Sequence, residues 1–221
     1  MLYFEKSQPA PACLVVEKQK ANGDYKCGEV LERLRDDFKN KCYICEKQRP
    51  ASINVEHLKS HQGDKALKFS WDNLFWSCSH CNNTKLANFD NIWNCTRQEE
   101  RVEERLRYFF HPFPFEKVSI TALDNESKTI KTQELVESVF NGTTKLKTIE
   151  GANIREELLK EIEHFQKYLI AYFSASYDED HKSYCLIEIK KHLNQASNFT
   201  SFKRWIIRGN ERMWEEFGEY C

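Results

Sequence analysis

The chain has 221 residues, 40% of them hydrophobic, 13% aromatic and 30% charged, with a formal net charge of −1. That length suits one domain or two small ones, and so many aromatics exclude a disordered chain. The near-neutral charge excludes a surface that attracts nucleic acid everywhere, and no run of about 18 apolar residues offers a membrane span.

From the N-terminus, Met1 to Ala10 lacks an apolar stretch behind a basic start, so a cytoplasmic protein is expected. Pro9 and Pro11 predict an irregular segment through residue 25, with a turn at Asn22-Gly23-Asp24. Val30, Leu31, Leu34 and Phe38 then fall at helical spacing, completing an N-terminal unit over 1–40. A motif-bearing core follows over 41–111. Its end reads as a helix, with Val102, Leu106 and Phe109 or Phe110 as a stripe through the solvated charges Arg97–Arg107, closed by His111, Pro112 and Pro114. The stretch 112–150 has strand character: Val118, Ile120 and Ala122 alternate, Asp124-Asn125 turns, and Thr129-Ile130-Lys131-Thr132 is placed to pair back. Residues 151–221 read as helical, with apolar stripes Leu158-Ile162-Phe165-Leu169-Phe173, then Ile187 and Leu193, then Trp205, Ile206, Met213 and Trp214.

Nine cysteines, an odd number, argue against a closed disulfide framework. Four form two C-x-x-C pairs, Cys42/Cys45 and Cys78/Cys81. The other five (Cys13, Cys27, Cys95, Cys185 and Cys221) read as small buried apolar residues or idle thiols. Two tight thiolate turns suit one tetrahedral Zn2+, and four protein ligands leave no open position, so the zinc is expected to be structural. His80, inside the second pair, is a lesser candidate ligand.

Between the pairs, Asn54 to Leu58 reads as a short strand that presents Glu56 beside His57. An imidazole can take a proton from water near neutral pH. A carboxylate with an amide oxygen can hold Mg2+ or another hard divalent ion, which stabilises charge on a phosphate. Asn73 precedes the second pair; Asn82 follows it, with Lys85 expected at a helix start. His61 and Lys85 are candidate nucleic-acid contacts, each with a plain surface role as its alternative. Trp71, Trp76 and Trp93 read as core, and His164, His181 and His192 as structural. From Lys39 to Lys85 there are eight Lys or Arg against four acids, a mildly basic region.

The text CYIC, VEHL and WDNLFWSCSHCNNTK, over about 41–86, resembles the HNH endonucleases and their zinc-knuckle ββα-metal finger. The resemblance implies His57 as general base, Glu56 and Asn82 as ligands of the catalytic divalent ion, and Asn73 as the amide that orients the His57 loop. It implies the four cysteines as zinc ligands. Glu stands where many members have Asp, and Ser60-His61-Gln62-Gly63 replaces the Pro and paired Gly often found after the histidine. More broadly, the chain resembles the HNH subunit of Septu-type anti-phage systems, which also accompanies some retrons and works with an ABC-type ATPase. The expectation is an α+β protein: an HNH finger with a four-cysteine zinc site in a mainly helical body. Its expected activity is phosphodiester hydrolysis of DNA in antiviral defence. RNA such as tRNA as substrate, or a non-catalytic zinc-ribbon binding module, are the alternatives.

Overall fold

A computed structural model describes residues 1–112 and 116–221; Pro114 lies outside these. The chain is a mixture of helices with two small antiparallel two-stranded sheets among the described residues. No described helix is long and apolar enough to cross a membrane.

The N-terminal segment is more ordered than its prolines suggest. Helix α1 (Ala12–Gln19) starts directly after Pro11, because a proline at a helix N-terminus gives up an N–H that has no partner there. Cys13 on α1 is disulfide-bonded to Cys27 at the cap of α2 (Gly28–Asp37), so these two cysteines are neither idle nor isolated thiols. On α2, Val30 and Leu34, followed by Phe38, face the core, while Leu31 is partly exposed.

The next unit is strand β1 (Ile53–His57), a one-turn helix α3 (Lys65–Lys68), strand β2 (Leu74–Cys78) and helix α4 (Ser79–Lys85). Strands β1 and β2 pair antiparallel with Ile53 opposite Cys78 and His57 opposite Leu74. Every residue of β2 is buried, so this strand passes through the core rather than along its surface.

The helix expected through Arg97–Arg107 does not form. Two short 3-10 turns lead into β3 (Leu106–His111), which pairs with β4 (Lys117–Ala122), Leu106 opposite Ala122. Leu106 and Phe110 of that stripe instead join Tyr108 in period two, all three buried, while Arg107, Phe109 and His111 face out. His111 therefore ends a strand. Thr129 to Thr132 does not pair back either; it belongs to α5 (Ser127–Asn141). Its Thr129 and Thr132 are wholly buried and serve Trp93, whose indole N–H donates to Thr129 Oγ1 at 2.9 Å and whose amide donates to Thr132 Oγ1 at 3.1 Å.

Gly142, at φ +75°, turns the chain into α6 (Lys145–Phe173); a Cβ there would lie 2.4 Å from the Thr148 backbone. Leu158, Ile162, Phe165 and Leu169 of α6 are buried as their spacing predicts. On α7 (Glu179–Leu193) the buried stripe is Cys185, Ile189 and Leu193; Ile187 points outward and is 54% exposed. Helices α8 (Thr200–Arg208) and α9 (Glu211–Phe217) bury Phe202, Ile207 and Phe217, while Trp205, Ile206 and Met213 pack at the margin and Trp214 is partly exposed. Two apolar clusters result: a large one around the β1–β2–α4 unit, β3–β4 and α5, and a smaller one among α6, α7 and α9.

Candidate functional site

The four C-x-x-C cysteines converge from two different local structures. Cys42 and Cys45 lie on a turn closed by Cys42 N–H donating to Lys47 O at 3.0 Å and Glu46 N–H donating to Cys42 O at 2.9 Å. Cys78 ends β2 and caps α4, its sulfur accepting from the Cys81 amide at 3.5 Å. All four sulfurs lie within 4.8 Å of one another, buried, with Cys45 and Cys78 Sγ 3.9 Å apart. A tetrahedral zinc with bonds of about 2.3 Å spaces its sulfurs about 3.8 Å apart, so the set can hold one zinc ion. Against the penalty of burial, hydrogen bonds from Cys45, Cys78 and Cys81 hold the Cys42 thiol well down, while its neighbours push Cys45 up and burial pushes Cys81 up. A divalent cation offsets the repulsion of several thiolates crowded into one apolar space.

Both knuckles are tied to the helical body. His80 turns away from the sulfurs: Nδ1 lies 2.6 Å from Glu150 Oε2 on α6, and Nε2 lies 2.8 Å from Val139 O on α5. It is a buried strut rather than a ligand. At the first knuckle, Lys41 donates to Gln195 O at 2.7 Å and Thr200 Oγ1 at 3.1 Å, and the buried Glu46 carboxylate accepts the Ser201 amide at 2.8 Å.

The expected catalytic residues sit beside this centre. Glu56 is 5% exposed; its Oε2 accepts from Tyr43 Oη at 2.8 Å, and its Oε1 is 2.9 Å from Lys85 Nζ. Burial pushes the Glu56 carboxyl up to about 7 against the pull of Lys85 and Tyr43. Consecutive residues of a strand face opposite sides, and His57 accordingly leaves the Glu56 pocket. Its ring packs against Tyr25 at 4.6 Å and His61 at 4.7 Å between centroids, with Nε2 3.0 Å from Lys68 O. A carbonyl partner makes Nε2 the protonated nitrogen and leaves the Nδ1 lone pair free. Burial pushes His57 down to about 4, so the ring is neutral near pH 7.

Asn73 fastens the loop that follows His57. Its Oδ1 accepts from Lys59 N at 2.8 Å, and its Nδ2 donates to Lys59 O at 2.9 Å and Leu67 O at 3.1 Å. Asp90 holds the same loop through Ser60 N at 2.9 Å. Asn82 stands half-buried on α4, and among the described residues its side-chain amide makes no hydrogen bond. His61 is half-buried, its Nδ1 accepting from Gly63 N at 3.1 Å. Lys85 sits at the C-terminal end of α4 rather than at a helix start, and it is 1% exposed. Its ammonium also donates to His57 O at 3.0 Å and lies 3.8 Å from Asp90, so it does not reach outward to a phosphate.

A divalent ion does not fit Glu56 as these side chains stand, because the Lys85 ammonium already supplies the positive charge beside it. Among the described residues, only the four cysteines bring three or more metal-binding His, Cys, Asp or Glu side chains together. Three residues here escape a reading of the motif: Tyr43, Tyr25 and Asp90. Tyr43 lies inside the first knuckle, a position that hints at involvement, but its bond to Glu56 depends on packing across β1. No protein-family model matches the chain, and no curated protein is similar to it.

Proposed function

We propose that this chain is an endonuclease of the HNH kind that hydrolyses phosphodiester bonds of DNA. The observation that carries the reading is Asn73: its amide clamps the loop after His57 by both donor and acceptor, the positioning role the motif assigns to it. The order strand β1, strand β2, helix α4 around a thiolate cluster supports the same reading. In the proposed reaction, His57 Nδ1 takes a proton from water, the water oxygen forms a bond to phosphorus, and the bond to the leaving sugar oxygen breaks. The motif resemblance implies Glu56 and Asn82 as holders of a divalent ion, but with Lys85 beside Glu56 the side chains do not fit one as they stand, and no step of the proposed reaction is routed through an ion. A place in an ATPase-coupled anti-phage complex is proposed on the motif resemblance alone.

The Glu56–Lys85 pair favours a second reading, in which the finger is a zinc-braced binding module without catalysis. Plasmid cleavage by wild type, His57→Ala and Asn73→Ala, with and without Mg2+ or Mn2+, separates the two. The nuclease reading expects cleavage that falls at least about 100-fold without the general base. Equal behaviour of wild type and His57→Ala would leave the binding module standing.

A further inference from the structure

The β3–β4 hairpin presents one face to the core and one to solvent. The six outward residues are Arg107, Phe109 and His111 on β3 and, opposite them, Thr121, Ser119 and Lys117 on β4. None is a carboxylate, in a chain with 34 acidic residues. Among the described residues neither Arg107 nor Lys117 forms an ion pair. His111 Nε2 shares a hydrogen bond with Ser119 Oγ at 3.0 Å, and Phe109 holds its ring 54% exposed, edge-on to His111 at 4.4 Å. Beside this face runs a groove of about 620 Å³ whose wall includes Trp205, Phe202 and Ile206. The Trp205 indole has the Arg107 guanidinium at 5.4 Å and that of Arg208 at 5.3 Å.

The hairpin is fixed along the free edge of β4. Asn141 of α5 accepts from Val118 N at 3.1 Å and donates to Val118 O at 2.8 Å, while Glu137 accepts from Ile120 N at 2.9 Å. The outward face is therefore displayed on a fixed frame.

We infer that this face binds a single strand of nucleic acid, with Arg107 and Lys117 at phosphates and the Phe109 ring under an unpaired base. Charge complementarity selects a polyanion, and the exposed aromatic selects a partner with accessible ring faces. Spacing selects a single strand over a duplex: outward side chains recur about every 6.8 Å along a strand, about twice the 3.4 Å step per base of stacked DNA, so they match splayed nucleotides. The inference rests on the nuclease reading only in taking nucleic acid as the natural partner.

The test is binding without added divalent ion, by fluorescence anisotropy, using a labelled mixed-sequence DNA single strand and the same strand annealed to its complement. Wild type is expected to bind the single strand more tightly. Phe109→Ala is expected to weaken it roughly tenfold and Phe109→Trp to restore it. Arg107→Ala with Lys117→Ala should lower the slope of log affinity against log salt by about 0.7 for each phosphate that is no longer neutralised. Ser119→Glu, which adds a carboxylate to the open face, should abolish binding; matching circular dichroism melts for every variant establish that it folds. The inference is overturned if wild type does not bind the single strand, if it binds the duplex equally well, or if these variants bind like wild type. Cleavage is scored apart: binding as described without cleavage upholds this face and removes the nuclease, whereas cleavage with variant-independent binding does the reverse.

Discussion

Lys85 is the residue on which the interior of the β1–β2–α4 unit depends. A buried ammonium that faces Glu56, His57 O and Asp90 cannot be removed cheaply, since the carboxylate it leaves behind is also buried. Lys85→Met is expected to cost about 3–5 kcal/mol, read from urea denaturation, and Glu56→Gln in the same chain should recover part of that loss. Single losses that simply add would show that the two groups are uncoupled. A smaller effect belongs to Thr129: Thr129→Val strands the buried Trp93 indole N–H and should cost about 1–3 kcal/mol, whereas Thr→Val at an exposed site should be almost silent. The motif made Glu56, His57 and Asn73 legible as a group. It could not show that Lys85 turns inward, because that depends on where α4 ends relative to β1.

Among the elements, those with one strong period were readable and those with two competing periods were not. The α6 stripe of Leu158, Ile162, Phe165 and Leu169 has no strand-like alternative, and it folds as spaced. Leu106, Tyr108 and Phe110 form every second residue, while Val102, Leu106 and Phe109 also fit a helix; packing against α8 and the pairing with β4 decide for the strand. Residues 129–132 fail in the other direction, since β-branched side chains suit a strand locally but here fill the space between α5 and Trp93. The cysteine centre was legible from spacing alone, and its test is direct. Cys81→Ser should reduce bound zinc below one per chain, measured by atomic absorption, and lower the melting temperature, because metal binding in such sites contributes to folding free energy. Unchanged zinc content would mean that the four sulfurs are not its ligands.

For the molecule as a whole, acid is expected to act through the helical body. Glu161 of α6 faces His192 and the fully buried Lys203, with Nζ at 2.7 Å. Although burial works against it, the bonds to His192 and Lys203 hold its carboxyl at about 2. Burial meanwhile brings Lys203 down to about 8, leaving it charged throughout the acid range. A carboxyl held below its ordinary 4.5 stabilises the fold above that value and loses the contribution as pH falls towards 2. Wild type should therefore melt higher than Glu161→Gln at pH 6, with the gap closing between pH 4.5 and 2; a constant gap would remove the carboxylate as its cause.

The two bonds of His80 couple the four cysteines to more than the β1–β2–α4 unit. A ring wedged between the second knuckle, Val139 of α5 and Glu150 of α6 offers no slack between the thiolates and the long helices. Stripping the ion with a chelator should accordingly raise deuterium uptake along α5 and the start of α6 as well as along α4. Uptake that rose in α4 and stopped there would mean the imidazole transmits nothing.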